Sequence, residues 1–225
     1  MKTQPHSISP RALAIAGWAG FAVAGVTFLT LAWNVASHAQ LVTIDAKVAA
    51  FLHENAAPAF TRFMLVVTHA NSTIAMTILG LVFAAVLWRM KERYWLLSLA
   101  LALGGGMTLN VLLKHAYERA RPHFDDPFLT LNTFSFPSGH TAGATLFYGV
   151  LAAFLVSRTF DHGLRVLVVT IAVAMVMLVA LSRMYLGAHY LSDVLAAACS
   201  STAWLALCLS SVHALVRRRM AMGAA

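Results

Sequence analysis

The charged residues divide this chain into six long uncharged stretches, and that spacing limits its fold more than any other feature. Between successive Asp, Glu, Lys or Arg residues lie 12–44, 63–88, 94–113, 127–157, 166–182 and 194–216. These stretches run to 33, 26, 20, 31, 17 and 23 residues. A bilayer core about 30 Å thick is crossed by roughly 20 helical residues, so each stretch holds one spanning helix. The fifth is the shortest, and Arg165 and Arg183 at its ends can snorkel to the interface. Composition agrees: 60% of the 225 residues are hydrophobic and 11% charged, against about 45–50% and about 25% in soluble domains. So few charges cannot coat a soluble surface, and so apolar a chain is not disordered. The expected fold is all-α, a six-transmembrane-helix bundle in a single integral membrane domain spanning residues 1–225.

The net charge of +8 would point to nucleic acid in a soluble protein. Here it follows from membrane topology. With the N-terminus in the cytoplasm, ten cations face inward: Lys2, Arg11, Arg89, Lys91, Arg93, Arg158, Arg165, Arg217, Arg218 and Arg219. Six face outward: Lys47, Arg62, Lys114, Arg119, Arg121 and Arg183. Positive charge favours the cytoplasmic side, so both termini are expected there. Residues 12–33 exceed the 7–15 apolar residues usual in a signal peptide and read as an uncleaved first helix, despite the small-x-small run Ser37-His38-Ala39.

Between the helices, residues 1–11 form a polar lead. Residues 35–60 carry Ile44, Val48, Phe51 and Leu52 at helical spacing, an amphipathic helix lying on the outer surface. Arg89-Met90-Lys91-Glu92-Arg93 is a tight inner turn, and residues 114–137 are the longest polar stretch. Gly104-Gly105-Gly106 lacks the rest of a phosphate-loop pattern and reads as a close helix–helix contact. Cys199 and Cys208 share the last helix about 13 Å apart by rise, too far to pair. No Cys/His cluster points to a structural metal.

Three polar clusters fall at the outer helix ends: Lys114 to Arg121-Pro122, then Pro137-Ser138-Gly139-His140, then Ser182-Arg183 with His189 and Asp193. Lys114, Arg121 and Arg183 supply three cations; the guanidinium fork matches phosphate oxygens and the ammonium acts as a point charge. Ser138 and Gly139 open the fourth helix, whose N-terminus favours an anion. His189 and Asp193 are four apart and share a face if helical. A carboxylate beside an imidazole fixes its tautomer and stabilises its cation, so His189 is a candidate nucleophile for phosphorus. His140 is left to protonate the leaving oxygen and then activate water. Singly, the cations are interface anchors, the His–Asp pair structural and the Pro-Ser-Gly-His run a capped turn. Together on one face they describe a phosphoryl-transfer site. Arg119, Glu118, His115, His123, Asp125 and Asp126 are expected to be solvated loop residues, His69 and Asn71 to be hydrogen-bonded within the bundle, and Asn110 to orient Lys114.

The pattern KxxxxxxRP at 114–122, PSGH at 137–140 and SRxxxxxHxxxD at 182–193 resembles the type 2 phosphatidic acid phosphatase (PAP2) superfamily, with no departure from its motifs. The resemblance implies a helical bundle with an outward-facing, metal-independent phosphatase site needing no cofactor. It implies His189 as nucleophile, Asp193 as its partner, His140 as general acid, and Lys114, Arg121, Ser138, Gly139 and Arg183 around the phosphate.

The small size, without a soluble domain, resembles bacterial undecaprenyl diphosphate and phosphatidylglycerophosphate phosphatases. It implies a bacterial inner membrane with the site facing the periplasm, and membrane lipids, not nucleic acid, as partners. Undecaprenyl diphosphate is the first expected substrate, since an outward site suits recycling of a carrier lipid. Phosphatidylglycerophosphate and phosphatidate are the alternatives. A lipid phosphotransferase would use the same phosphohistidine. Vanadium haloperoxidases share the anion site but are soluble, and a non-enzymatic lipid-binding or transport protein has no need of His189, Asp193 and His140 in register.

Overall fold

The structure, a computed structural model, describes residues 10–129 and 131–223. Lys2, counted above as an inner cation, lies outside the described residues. The elements are α1 (Pro10–Ala36), α2 (Gln40–Glu54), α3 (Pro58–Ala70), α4 (Thr73–Arg89), α5 (Arg93–Ala100), a π-helical turn (Leu101–Gly105), α6 (Gly106–Tyr117), α7 (Gly139–Arg158), α8 (His162–Tyr185) and α9 (Leu191–Gly223). No strand occurs among the described residues. Five spans are long and apolar enough to cross a membrane, and α3 with α4 makes a sixth, bent by 48°. Each of the six uncharged stretches thus holds one span.

Small residues decide which helix is central. Thr141, Ala142, Gly143, Ala144 and Thr145 begin a buried run on α7, and small residues let helix backbones approach closely. α7 packs against α4, α6, α8 and α9, while α1 lies along α9. Leu146, Phe147, Val150 and Phe154 of α7 join Phe83 and Leu87 of α4 in the main core. The outer faces are aliphatic: Val166, Val169, Ile171 and Val173 of α8 are exposed, as a lipid-facing surface requires.

Two helix irregularities have local causes. The α3–α4 bend falls at Asn71-Ser72, where the expected single helix is broken. The Asn71 amide donates to the Val67 carbonyl at 2.9 Å, and the Ser72 hydroxyl accepts from the Ala75 N–H at 3.3 Å, capping α4. The Tyr148 hydroxyl donates to Asn71 Oδ1 at 2.9 Å and ties the break to α7. The π turn lies on the glycine run. A Cβ on Gly105 would collide with the Trp204 indole, and one on Gly106 with Leu146, which confirms the close-packing reading. The Trp204 indole N–H donates to the Leu101 carbonyl at 3.0 Å across the same contact.

α2 forms as expected but turns a different face inward. Asp45 and Ala49 are its buried residues, while Ile44 and Phe51 are exposed. An aspartate and an alanine, rather than the aliphatic stripe, dock this helix on α1, α8 and α9. The α1–α3, α6–α7 and α8–α9 connections meet at one end of the bundle. At the other end the 90–92 turn and the 159–161 loop approach each other, joined by an Arg158–Glu92 ion pair.

Candidate active site

The three motifs converge at the end where α2 and the 118–138 loop lie. The Ser138 N–H donates to the Asp193 carbonyl at 3.1 Å, joining the α7 N-terminus to the first turn of α9. The buried Ser138 hydroxyl caps α7, accepting from the Thr141 N–H at 3.5 Å and the Thr141 hydroxyl at 3.1 Å. Ser138 therefore fixes the position and direction of the helix terminus.

His189 precedes α9 rather than lying on it, yet its side chain still reaches Asp193. His189 Nδ1 is 3.5 Å from Asp193 Oδ2, and both residues are almost wholly buried. Arg121 Nη1 lies 3.2 Å from His189 Nε2. A guanidinium only donates, so Nε2 carries the lone pair and Nδ1 the proton, directed at Asp193 and the Ser135 hydroxyl. Burial, the largest influence, holds the imidazole well below its ordinary titration range; Arg121 and Arg183 act in the same direction and Asp193 opposes them. His189 is thus neutral, with a nucleophilic lone pair facing the cations.

Each cation is anchored by oxygen atoms around the site. Arg121 Nη1 donates to the Ala188 carbonyl at 2.6 Å, and its Nε and Nη2 donate to the Thr133 carbonyl and hydroxyl at 2.6 and 2.8 Å. Lys114 Nζ donates to the Phe134 carbonyl at 2.6 Å. Arg183 does not snorkel. It is buried and donates from Nη1 to the Thr68 hydroxyl at 2.5 Å, while its buried Nε has no partner among the described residues. An unpaired buried donor is costly, so this N–H is one that an anion in the site could satisfy. A Cβ on Gly139 would lie 3.5 Å from Asn110 Oδ1 and 4.0 Å from Lys114 Cε, so Gly139 looks across the site at Lys114. Asn110 does not hold Lys114; its amide points at the Pro137 carbonyl, 3.5 Å away.

His140, in the first turn of α7, lines a different wall. With Gly139 it closes one end of a mainly apolar cavity of about 470 Å³ between α4, the π turn and α7. Met76, Gly80 and Ala84 line it from α4, and Gly104 and Met107 from the third span.

Three residues outside the motifs complete the site. Ser135 Oγ donates to Asp193 Oδ2 at 2.5 Å. Arg119, expected to be solvated, is largely buried and bridges Asp193 Oδ1 and Asp45 Oδ2 at 2.7 and 2.8 Å. Asp45, expected on an exposed surface helix, is fully buried. Burial opposes the charge of Arg119, but the facing Asp193 and Asp45 outweigh it and raise its titration further. The only sequence signal for this group was a lone aspartate within an apolar helix. Asp126, by contrast, stays exposed, with its carboxylate 2.8 Å from His53 Nε2. His69 and Asn71 are hydrogen-bonded within the bundle, as expected.

Comparison with known proteins matches residues 93–217 to the PAP2 superfamily. The chain belongs to the PAP2 superfamily. Phosphatidylglycerophosphatase B of Bacillus subtilis (strain 168) is 34% identical over 139 residues, covering 61% of this chain and 68% of that protein. A crystal structure of a transmembrane PAP2-type phosphatidylglycerolphosphate phosphatase from Bacillus subtilis superposes with a TM-score of 0.77 at 28% identity, covering 88% of this chain and 96% of that one. LpxE of Aquifex aeolicus shares the fold at a TM-score of 0.60 and 22% identity, over 74% of this chain and 94% of that one. This PAP2 protein is an integral membrane phosphatase.

Proposed function

We propose that this PAP2 protein is a single-domain lipid phosphatase that works through a phosphohistidine on His189, with phosphatidylglycerophosphate as its substrate. The observation that carries the mechanism is Arg121 Nη1 lying 3.2 Å from His189 Nε2. A phosphate held by Arg121, Arg183 and Lys114 lies in line with the His189 lone pair. His189 Nε2 bonds to phosphorus as the ester P–O bond breaks, and the leaving oxygen takes a proton from His140. Water then attacks phosphorus and gives a proton to His140, the N–P bond breaks, and phosphate leaves. Asp193 holds the Nδ1 proton throughout and stabilises the charge on the ring. The three cations supply the electrostatic stabilisation, so the reaction needs no metal. Ser138 contributes by holding the α7 terminus, and Gly139 by leaving room for the phosphate.

The apolar cavity ending at His140 supports a lipid leaving group, since a tail lying along α4 brings its ester oxygen to the general acid. Phosphatidylglycerophosphate is favoured over undecaprenyl diphosphate because the Bacillus subtilis relatives carry that name. The cation asymmetry supports both termini in the cytoplasm and a site opening to the periplasm of a bacterial inner membrane.

The test is phosphate release by the purified protein with EDTA, over phosphatidylglycerophosphate, undecaprenyl diphosphate, phosphatidate and diacylglycerol diphosphate. The expected outcome is the highest kcat/KM on phosphatidylglycerophosphate and loss of more than about 10³-fold in His189→Ala. Activity that needs stoichiometric Mg²⁺, or survives in His189→Ala, contradicts the mechanism. A preference for undecaprenyl diphosphate overturns the substrate assignment alone.

A further inference from the structure

Asp45 lies outside all three motifs, on a helix whose exposed residues include Ile44, Lys47 and Phe51, yet it is fully buried with both oxygens occupied. Its Oδ1 accepts from the Ser192 N–H at 2.9 Å; its Oδ2 accepts from the Ser192 hydroxyl at 2.5 Å and from Arg119 Nη2 at 2.8 Å. Arg119 uses its other terminal nitrogen on Asp193 Oδ1 and Ser192 Oγ, both at 2.7 Å. Its guanidinium also stacks on the Tyr190 ring, 4.3 Å from the centroid, and its carbonyl accepts from the Ser135 N–H at 2.8 Å.

The division of that fork matters for Asp193. A guanidinium facing one carboxylate binds both of its oxygens in a parallel pair. Here Asp45 claims Nη2, so Arg119 engages Asp193 through Oδ1 alone. Asp193 Oδ2 remains for the Ser135 hydroxyl, the Tyr190 N–H at 2.8 Å and His189 Nδ1. Two carboxylates and one guanidinium also leave a net single negative charge, which matches the cation that forms on His189. Arg119 alone would neutralise Asp193 and draw Oδ2 from the imidazole.

We propose that Asp45 and Arg119 are positioning residues for phosphoryl transfer, a clamp anchored on α2 that holds Asp193 by Oδ1 and keeps Oδ2 turned to His189, beside its Ser135 and Tyr190 donors. The clamp acts on the chemical step and not on phosphate binding, because neither residue belongs to the Lys114, Arg121 and Arg183 cradle. It rests on the phosphohistidine reading.

The experiment uses the full chain in lipid nanodiscs, with Asp45→Asn and Arg119→Lys made singly and in an Asp193→Asn background. Vanadate titration counts competent sites, and inorganic phosphate inhibition reports the cradle. The expected result is a kcat per competent site lowered about 10–100-fold, the size of outer-shell effects at metal sites. KM and the phosphate inhibition constant stay within about twofold. In the Asp193→Asn background the Asp45→Asn change has less than about a twofold effect, because residues acting through one another are not additive. Should Asp45→Asn fail to fold, Arg119→Lys and Arg119→Ala carry the test, and added guanidinium ion must restore part of the kcat of Arg119→Ala. Fewer competent sites with unchanged kcat per site would mean that the clamp only docks α2, and overturns the proposal. So do additive effects in the double variant, or wild-type kinetics. If His189→Ala stays active, the phosphohistidine reading itself fails; if it is inactive while Asp45→Asn is unaffected, only the clamp fails.

Discussion

At the scale of single residues, the proposed mechanism depends on a neutral, buried His189. Burial keeps the folded-state imidazole unprotonated at pH values where the unfolded chain, near its ordinary value of about 6.5, takes up a proton. A lowered histidine contributes stability that is present above the unfolded value and is lost as pH falls below it. Its contribution declines by up to about 1.4 kcal/mol per pH unit on acidification. Thermal unfolding from pH 7.5 down to 4.5 is expected to show a falling Tm, with a shallower fall in His189→Gln; parallel curves would contradict the burial argument. The convergence of the motif residues was legible in the sequence, because a phosphoryl-transfer reading calls for cations, a nucleophile and a helix terminus in one place. Asp45 and Arg119 were not, because they lie 74 positions apart and spacing conveys nothing about a contact made only by folding. Ser135 was hidden for the same reason: a serine in a polar loop carries no sign that it will donate to Asp193.

At the scale of elements, the glycine run and the α3–α4 break place the walls of the site. The six spans were readable from charge spacing because a bilayer excludes charge over a fixed thickness. The break was not, because Asn-Ser within an apolar run leaves hydropathy nearly unchanged while its side chains compete for backbone partners. Neighbouring glycines provide an internal control. Gly105 abuts Trp204, whereas a Cβ on Gly104 meets nothing within 4 Å. Gly105→Leu is expected to cost about 1–3 kcal/mol by overpacking and to remove the Trp204 hydrogen bond. Gly104→Ala is expected to leave the Tm unchanged or raise it slightly. Thermal unfolding in one detergent compares them, and equal losses would place the helix contact elsewhere.

At the scale of the whole molecule, bundle and site perform separate tasks joined at His140. In the proposed mechanism the polar end holds phosphate, and the apolar cavity runs from Asn71 past Met76 to Ala84 of α4, about 12 Å of rise between the last two. Filling that cavity separates tail recognition from chemistry. Gly104→Trp is expected to raise KM for a diacyl phosphate at least about tenfold while leaving turnover of a water-soluble aryl phosphate within about twofold. Equal loss on both would place the tail elsewhere.

The central claim is that phosphorus is transferred to His189, and trapping the intermediate tests it most directly. The protein is mixed with lipid carrying radiolabelled phosphate, quenched in alkali within milliseconds, digested and mapped. The predicted result is an alkali-stable, acid-labile label on the peptide containing His189, absent from His189→Ala and reduced in Asp193→Asn. Hydrolysis proceeding at full rate with no labelled protein, or with the label on another residue, would contradict it.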